Sequence, residues 1–563
     1  MSFIDWAILV ITLVTVILYG IYKGRGQRDA QSYLLADKKM PWYLVLLGIM
    51  STQASAITFI SAPGQAFTDG MRFVQYYFGL PIAMIVICVT FIPIFQKLNV
   101  YTAYEFLEER FDRKTRVFTS FLFLLSRGLS TGISIYAPSI VLASVLGMNI
   151  YLTNLLMGGL LIIYTCSGGA KAIAHTQKLQ FIIILASMAF AGYLVIRHLP
   201  SDMTAGDALF IAGKAGKLNV ITSDFDWKDK YNIWSGIIGG FFLALSYFGT
   251  DQSQVGRYLT AKDTSVARKG LLLNGLVKIP MQFAILLIGA LLFSLYIFKP
   301  APLYFNEVSY RMLKTKEPVR ISRMEKDYAA LGMDYRKQAE ILIDYRRRNI
   351  RPPQESIAAF KHTNIKIDAL RDSVRQEIAR TGTASDASDT NYIFLHFVKN
   401  YLPRGLVGLL FAIIFLASWG SVSAALNSLA SSSLIDIQYL GRKERGPASR
   451  QVRYGRVHTV IWGGFSIAVA MFATQMGSLI EAVNVLGSLF YGTILGIFLV
   501  AFYLKSISGN AVFLASVIAE LSVIVIYKAD IVSFLWLNVI GALLVILISS
   551  CLQLLSKKKI YAA

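Results

Sequence analysis

Residues 405–437 read GLVGLLFAIIFLASWGSVSAALNSLASSSLIDI, and this stretch decides what kind of chain this is. Its first half is apolar enough to sit in a bilayer. From Ala417 onward it fills with small and polar residues: Ser418, Ser421, Ser423, Asn427, Ser428, Ser431, Ser432 and Ser433. Lipid offers hydroxyl and amide groups no partner, so these side chains must face protein, water or an ion. Two readings stand side by side. Small residues let helices approach closely. Alternatively, Ser421 and Ser423, with free carbonyls near Ala417, supply the hard oxygen ligands that a small alkali cation needs.

The rest of the chain supports a membrane reading. Of 563 residues, 55% are apolar and only 16% charged, and the mean hydropathy is +0.55, which excludes a soluble globule. Apolar runs long enough to span a bilayer lie at 3–22, 42–62, 74–96, 117–143, 148–167, 178–197, 232–249, 270–298, 404–437, 457–475, 479–503, 510–527 and 532–555. The expectation is an all-α polytopic membrane protein of about thirteen spans. The first run has no basic residue ahead of it and no small-residue cleavage site, so it is read as a retained helix.

A net charge of +22 invites a nucleic-acid reading, but the basic residues fall on alternate sides of the spans. Lys23, Arg25, Arg28, Lys38 and Lys39 follow the first span. Arg110, Arg113, Lys114 and Arg116 follow the third, Arg257, Lys262, Arg268 and Lys269 the seventh, Arg442, Lys443, Arg445, Arg450, Arg453 and Arg456 the ninth, and Lys557 to Lys559 close the chain. The positive-inside rule accounts for this with the N-terminus outside and the C-terminus cytoplasmic, in the inner membrane, with no nucleic acid involved. Cys88, Cys166 and Cys551 fit no disulfide or metal spacing.

Individual spans carry chemistry. The second, MPWYLVLLGIMSTQASAITFISAPGQAF, is interrupted by Ser51, Thr52, Gln53, Ser55 and Thr58 and is read as ending at Pro63-Gly64. A helix broken by polar residues can unwind and offer backbone carbonyls at the midplane. The fourth span holds Arg127 about ten residues in; an intramembrane arginine marks a pathway or an anionic ligand unless it snorkels. Ser167-Gly168-Gly169-Ala170-Lys171 turns the chain back, leaving His175, Gln177, Lys178 and Gln180 at the mouth of the sixth span. Asp251 and Gln252 lie where the seventh leaves the bilayer, and Lys278, inside the eighth, could pair with Asp251. The eleventh adds Glu481, Asn484, Ser488 and Tyr491. Residues 300–392 are strongly charged, with helical patterns over about 324–348 and 356–380 separated by Arg351-Pro352-Pro353; they are read as an extracytoplasmic cap or a docking element for a partner.

Together these residues resemble the sodium:solute symporter family, whose members include sodium-coupled sugar, sialic acid, monocarboxylate and iodide carriers. The likeness rests on Ser55-Ala56-Ile57-Thr58-Phe59 with Pro63-Gly64, Tyr101-Thr102-Ala103-Tyr104-Glu105-Phe106 with Arg110-Phe111, Gly168-Gly169-Ala170-Lys171-Ala172, Asp251-Gln252 with Arg257, and Ala425-Leu426-Asn427-Ser428 with Asp436. It implies a leucine-transporter-like fold of two inverted five-helix repeats. The expected organisation is an extra helix and loop at 1–40, a first repeat at 41–200, the start of the second at 201–299, the insertion at 300–392, the rest of the second repeat at 393–505, and C-terminal helices at 506–563.

The resemblance also implies sites. Its common sodium site would fall on Ser51, Ala54, Ala417, Gly420 and Ser421, and Gly420 departs from relatives that carry a hydroxyl there. A second sodium, held in some relatives by an aspartate, would fall on Gln177 with Ser423 and Ala424 nearby; with Gln177 and Ala424 in place, one sodium ion is expected, and no organic cofactor. Lys178 raises an alternative in which its ammonium substitutes for the cation, giving proton-coupled or uncoupled transport. Solute-binding candidates are Gln53, Ser55, Thr58, Tyr77, Arg127, Asp251, Lys278 and Asn484. Arg127 suits a carboxylate because its planar fork binds bidentately. The expected activity is sodium-coupled symport of a small polar, anionic or carboxylated solute, with a sugar or polyol second. A transporter-derived sensor is the reading from another class, and the short tail after Cys551 counts against it. No metal-ligand cluster and no nucleophile beside a base suggests an enzyme.

Overall fold

A computed structural model describes residues 1–24, 40–98, 102–299, 301–382, 388–441, 447–473 and 478–561. Arg25, Arg28, Lys38, Lys39, Tyr101, Arg442, Lys443 and Arg445 lie outside the described residues, as do the side chains of Lys23, Lys171 and Lys557 to Lys559.

The elements are helical throughout the described residues: α1 (Phe3–Gly24), α2 (Trp42–Gln53), α3 (Ala56–Asp69), α4 (Met71–Lys97), α5 (Glu105–Arg110), α6 (Arg113–Leu146), α7 (Ile150–Arg197), α8 (Ala205–Lys214), α9 (Ser235–Gly249), α10 (Gln252–Leu259), α11 (Thr264–Phe298), α12 (Glu307–Lys316), α13 (Pro318–Arg347), α14 (Gln354–Thr381), α15 (Ile393–Tyr401), α16 (Leu406–Gln438), α17 (Ala448–Phe472), α18 (Leu479–Tyr503), α19 (Gly509–Lys528) and α20 (Phe534–Tyr561). Among the described residues, nine helices are long and apolar enough to cross a membrane, or ten with the bent pair α2–α3. The expected thirteen is reached only by adding the shorter Ile150–Cys166 and Ser235–Gly249 and the more polar α17, and it stays an expectation. Large apolar side chains such as Val89, Ile163, Leu276 and Leu547 point outward, as lipid contact requires.

α7 is two antiparallel limbs. Tyr164 Oη lies 3.0 Å from Thr176 Oγ1, twelve residues on, where a straight helix would separate them by about 18 Å. The turn expected near Ser167 therefore exists. The insertion forms α12, α13 and α14; α13 begins at Pro318, earlier than the expected 324, because proline is well suited to a first helical turn. Asp5 accepts from the N–H of Gly405 at 2.5 Å and of Gly408 at 3.4 Å, which puts the N-terminus on the face of the membrane body that carries the insertion.

Three expectations about where helices break are corrected. Pro63-Gly64 does not end the second span: α3 runs on to Asp69, with Pro63 inside it. The pair serves close packing instead. A Cβ at Gly64 would sit 2.0 Å from the Thr390 carbonyl, and one at Gly289 would sit 2.1 Å from that of Pro63. The real interruption lies at Ala54-Ser55, where α2 and α3 meet at 57°. Asp251 is not exposed at a helix mouth either. It is 2% exposed and sits in a second break, between α9 and α10, where its carboxylate caps α10 by accepting from Ser253 N at 2.8 Å. Finally, α16 is unbroken. Ser421, Ser423, Ser428, Ser431 and Ser433 donate to carbonyls four residues back, so the carbonyl of Ala417 is engaged by Ser421 Oγ at 3.1 Å and is not free.

Candidate functional site

Where the two breaks face α16, a cavity encloses about 980 Å³ of empty space, its mouth included. Thr52, Gln53 and Ser55 reach it from the first break and Thr58 from α3; Tyr76 and Tyr77 come from α4. Arg127, Ser130, Thr131 and Ser134 form one face of α6, spaced three and four apart. Tyr247 comes from α9, Ser421 from α16, and Asn484 and Tyr491 from α18.

Arg127 is the only charged side chain in this wall among the described residues. It is 8% exposed, so it does not snorkel. Its Nη1 lies 3.9 Å from Asp251 Oδ2, its guanidinium 5.7 Å from the Tyr247 ring, and its buried Nε has no hydrogen-bond partner. Asp251 stands behind the wall and also accepts from Tyr491 Oη at 3.0 Å. Asp251 thus offsets the charge of Arg127, and the guanidinium keeps one buried donor without a protein partner. Tyr76 Oη donates to Asn484 Oδ1 at 3.0 Å, joining α4 to α18 in the wall.

The sodium candidates converge. Ser51 and Ala54 are fully buried at the first break, and Ser421 is in the wall. A Cβ at Gly420 would lie 3.4 Å from Ser51 Oγ, so α2 and α16 touch where the cation reading needs them to. Ser421 donates its hydroxyl hydrogen to Ala417 O, which leaves its lone pairs toward the cavity. Gln177 donates from Nε2 to Gly420 O at 2.9 Å and approaches Thr52 Oγ1 at 3.4 Å; Ser423 bonds back to Trp419 O at 2.5 Å.

Two expectations fail. Lys278 does not pair with Asp251 and does not reach the cavity: it is 1% exposed, has no hydrogen-bond partner, and lies with Nζ 5.3 Å from the Tyr77 ring, behind the wall. Lys178 is not beside the cation candidates. Its ammonium sits 5.3 Å from the ring of Tyr43, because the helical register that turns Gln177 and Gln180 inward turns Lys178 away. Sequence reasoning missed Thr52, Ser130, Thr131, Ser134, Tyr76 and Tyr247 as wall residues. The α6 set carried a usable signal, since its hydroxyls recur at helical spacing from Arg127.

A second network lies on the face opposite the insertion. Arg116 donates to Asp436 Oδ1 from Nε at 3.0 Å and Nη2 at 2.7 Å, and from Nη1 to Glu108 Oε2 at 2.7 Å. Thr102 Oγ1 also donates to Asp436 Oδ1, at 2.7 Å. Tyr104 Oη donates to Thr250 O at 2.9 Å, and Gln252 Oε1 accepts from Ala103 N at 2.9 Å. The segment before α6 is thereby tied to α16 and to the second break.

A family model described as the sodium:solute symporter family matches residues 33–312 and 377–527. The chain belongs to this family. The gap in the match falls within the insertion. Among relatives, the chain is 24% identical over 541 residues to the sodium/sialic acid symporter NanT of Aliivibrio fischeri, covering 95% of this chain and 90% of that one. It is 22% identical over 554 residues to the sodium/sialic acid symporter SiaT of Proteus mirabilis, covering 97% and 94%. With the human sodium/iodide cotransporter it shares 27% identity over 275 residues, 48% of this chain; it spans only 42% of that relative's length, and 66% of the rabbit multivitamin transporter's. The fold matches that of a solved Na+-coupled sialic acid symporter, described as substrate-bound and outward-open, with a TM-score of 0.76 at 20% identity over 98% of both chains.

Proposed function

We propose that this symporter couples an inward sodium gradient to uptake of a small, hydroxyl-bearing carboxylate. The observation that carries the solute class is Arg127, alone in charge on the wall, with an unpaired Nε and its net charge cancelled by Asp251 behind it. A sodium ion adds further positive charge beside Arg127, which an anionic cargo offsets. The hydroxyls of Ser55, Thr58, Ser130, Thr131 and Ser134 and the amide of Gln53 suit a cargo with hydroxyl groups of its own. Relatives named for sialic acid, monocarboxylate and iodide support an anionic cargo. A sugar or polyol is the second reading, and the solute-binding candidate Lys278 stands behind Tyr77.

In this reading the cation binds between the first break and α16, near Ser51, Ala54, Ala417, Gly420 and Ser421, and steadies the arrangement that accepts solute. The two repeats then rock about the cavity, and the Arg116–Asp436 network parts to release the cargo. The insertion and N-terminus face outward from the inner membrane, as the basic loops favour. The test is uptake of radiolabelled carboxylates and sugars into proteoliposomes under a sodium or a proton gradient. Carboxylate uptake that follows sodium supports the proposal; uptake that ignores sodium, or takes only uncharged sugars, contradicts it.

A further inference from the structure

The resemblance implies a hydroxyl residue where this chain has Gly420, and the structure shows which groups crowd that position. Around this glycine, four buried polar atoms have no hydrogen-bond partner: Ser51 Oγ, Gln177 Oε1, and both Oε1 and Nε2 of Gln180. Ser51 and Gln177 are fully buried and Gln180 is 1% exposed. A Cβ built on Gly420 would meet Gln180 Oε1 at 2.7 Å, Ser51 Oγ at 3.4 Å and Gln177 Cγ at 3.4 Å. Two unpaired oxygens, from the second limb of α7 and from α2, therefore converge on the point where a side chain at 420 would begin. Buried polar groups are normally satisfied, and each exception asks for a reason. Two hard oxygens aimed at one small space are what an alkali or alkaline-earth ion takes as ligands.

Gln177 sets the orientation of this cluster. Its Nε2 donates to the Gly420 carbonyl at 2.9 Å, so an N–H already engages that oxygen. The remaining unpartnered acceptors are Gln177 Oε1, Gln180 Oε1 and Ser51 Oγ, and of these Gln180 Oε1 and Ser51 Oγ are the ones that meet the position of a Cβ at 420. We infer that Gln180 Oε1 replaces the missing hydroxyl as a side-chain ligand of the sodium ion, and that glycine at 420 is the concession that makes room for it. This rests on the sodium-coupled reading above and assigns Gln180 a role in it.

Sodium itself is the probe, so no solute need be known. The purified full-length protein is titrated with sodium chloride against choline chloride at constant ionic strength, following thermal stabilisation and, separately, 22Na+ binding. Gln180→Met keeps length and volume but removes the oxygen, and its sodium midpoint is expected to rise at least tenfold. Gly420→Ser alone should also weaken binding, because the added Cβ falls 2.7 Å from Gln180 Oε1. The double variant Gln180→Ala with Gly420→Ser should recover to within threefold of the parent, since the serine hydroxyl regains both its role and its space. Melting in choline reports whether each variant is folded, and the methionine variant stands in if the alanine one is not. A sodium midpoint for Gln180→Met within twofold of the parent overturns the assignment while leaving sodium coupling intact. A folded double variant that stays as weak as Gln180→Met also overturns it. A parent protein with no sodium response in either assay removes the assignment and the sodium-coupled reading together.

Discussion

Asp436→Asn tests whether the network opposite the insertion is a gate. In the structure the Asp436 side chain is fully buried and takes two hydrogen bonds from Arg116, at 3.0 and 2.7 Å, and one from Thr102 at 2.7 Å. Asparagine keeps the shape, and its amide oxygen still accepts from Thr102; what it loses is the charge on the two Arg116 bonds. Charge-assisted bonds contribute roughly 1 kcal/mol more than neutral ones, so the two together lose about 2 kcal/mol. Arg116 retains Glu108 at 2.7 Å and is not left as an orphaned buried charge, so the larger cost of breaking a buried pair does not apply. If the bonds exist only while that face is closed, 2 kcal/mol shifts the balance toward opening by about 30-fold. The assay uses Ser134→Cys in the cavity wall, with Cys88, Cys166 and Cys551 replaced, in proteoliposomes of known orientation. A membrane-impermeant maleimide applied to the face opposite the insertion should label about 30-fold faster in Asp436→Asn. A change below threefold in folded protein, or faster labelling from the insertion face, would refute the gate.

Other predictions follow from the same geometry. Arg127→Gln removes a guanidinium that can form two charge-assisted bonds to a carboxylate, about 3 kcal/mol, and should raise the carboxylate KM on the order of 100-fold in liposome uptake while the sodium titration moves little. Gly64→Ala would drive a Cβ to 2.0 Å from a backbone carbonyl of Thr390, and should lower the melting temperature of purified protein clearly, whereas alanine at Gly159, with nothing within 4 Å, should leave it unchanged. On the insertion face, burial pushes His396 down to about 4, against the pull of Glu307 and with a small push from Lys399, and its Nδ1 lies 2.6 Å from Tyr296 Oη. The folded state thus prefers neutral His396; its contribution is complete above about pH 6.5 and is lost as pH falls toward 4. His396→Gln should flatten that part of the melting-temperature profile.

Much of this was legible in the sequence because membrane burial makes polar residues conspicuous. Ser51, Gln53, Ser55 and Thr58 had no business in a lipid-facing helix, and they do line or border the cavity. Arg127 declared itself in the same way. Helix breaks were harder to read. Pro63-Gly64 looked like a stop because both residues disfavour helices, yet tertiary contact with Thr390 and α11 outweighs that preference. The serines of α16 suggested free carbonyls near Ala417, but a serine can bond back within a helix, and Ser421 engages that carbonyl. Asp251 looked like a residue at the membrane edge because the polar run Thr250-Asp251-Gln252-Ser253-Gln254 reads equally well as a helix leaving the bilayer, and only tertiary packing shows that it is buried. The direction of Lys178 and the convergence of Gln180 on Gly420 depend on which face of one limb meets another, and sequence spacing alone does not fix that.

The central claim is that one sodium ion and one carboxylate share the site formed by the first break, α16 and Arg127. Its most direct test is solute accumulation in proteoliposomes at fixed sodium gradients and clamped membrane potential. One cation moving with one monoanion carries no net charge, so a tenfold inward sodium gradient should sustain about tenfold accumulation whatever the voltage, since each tenfold gradient is worth about 1.4 kcal/mol. Accumulation near 100-fold, a strong dependence on potential, or none on sodium would contradict it.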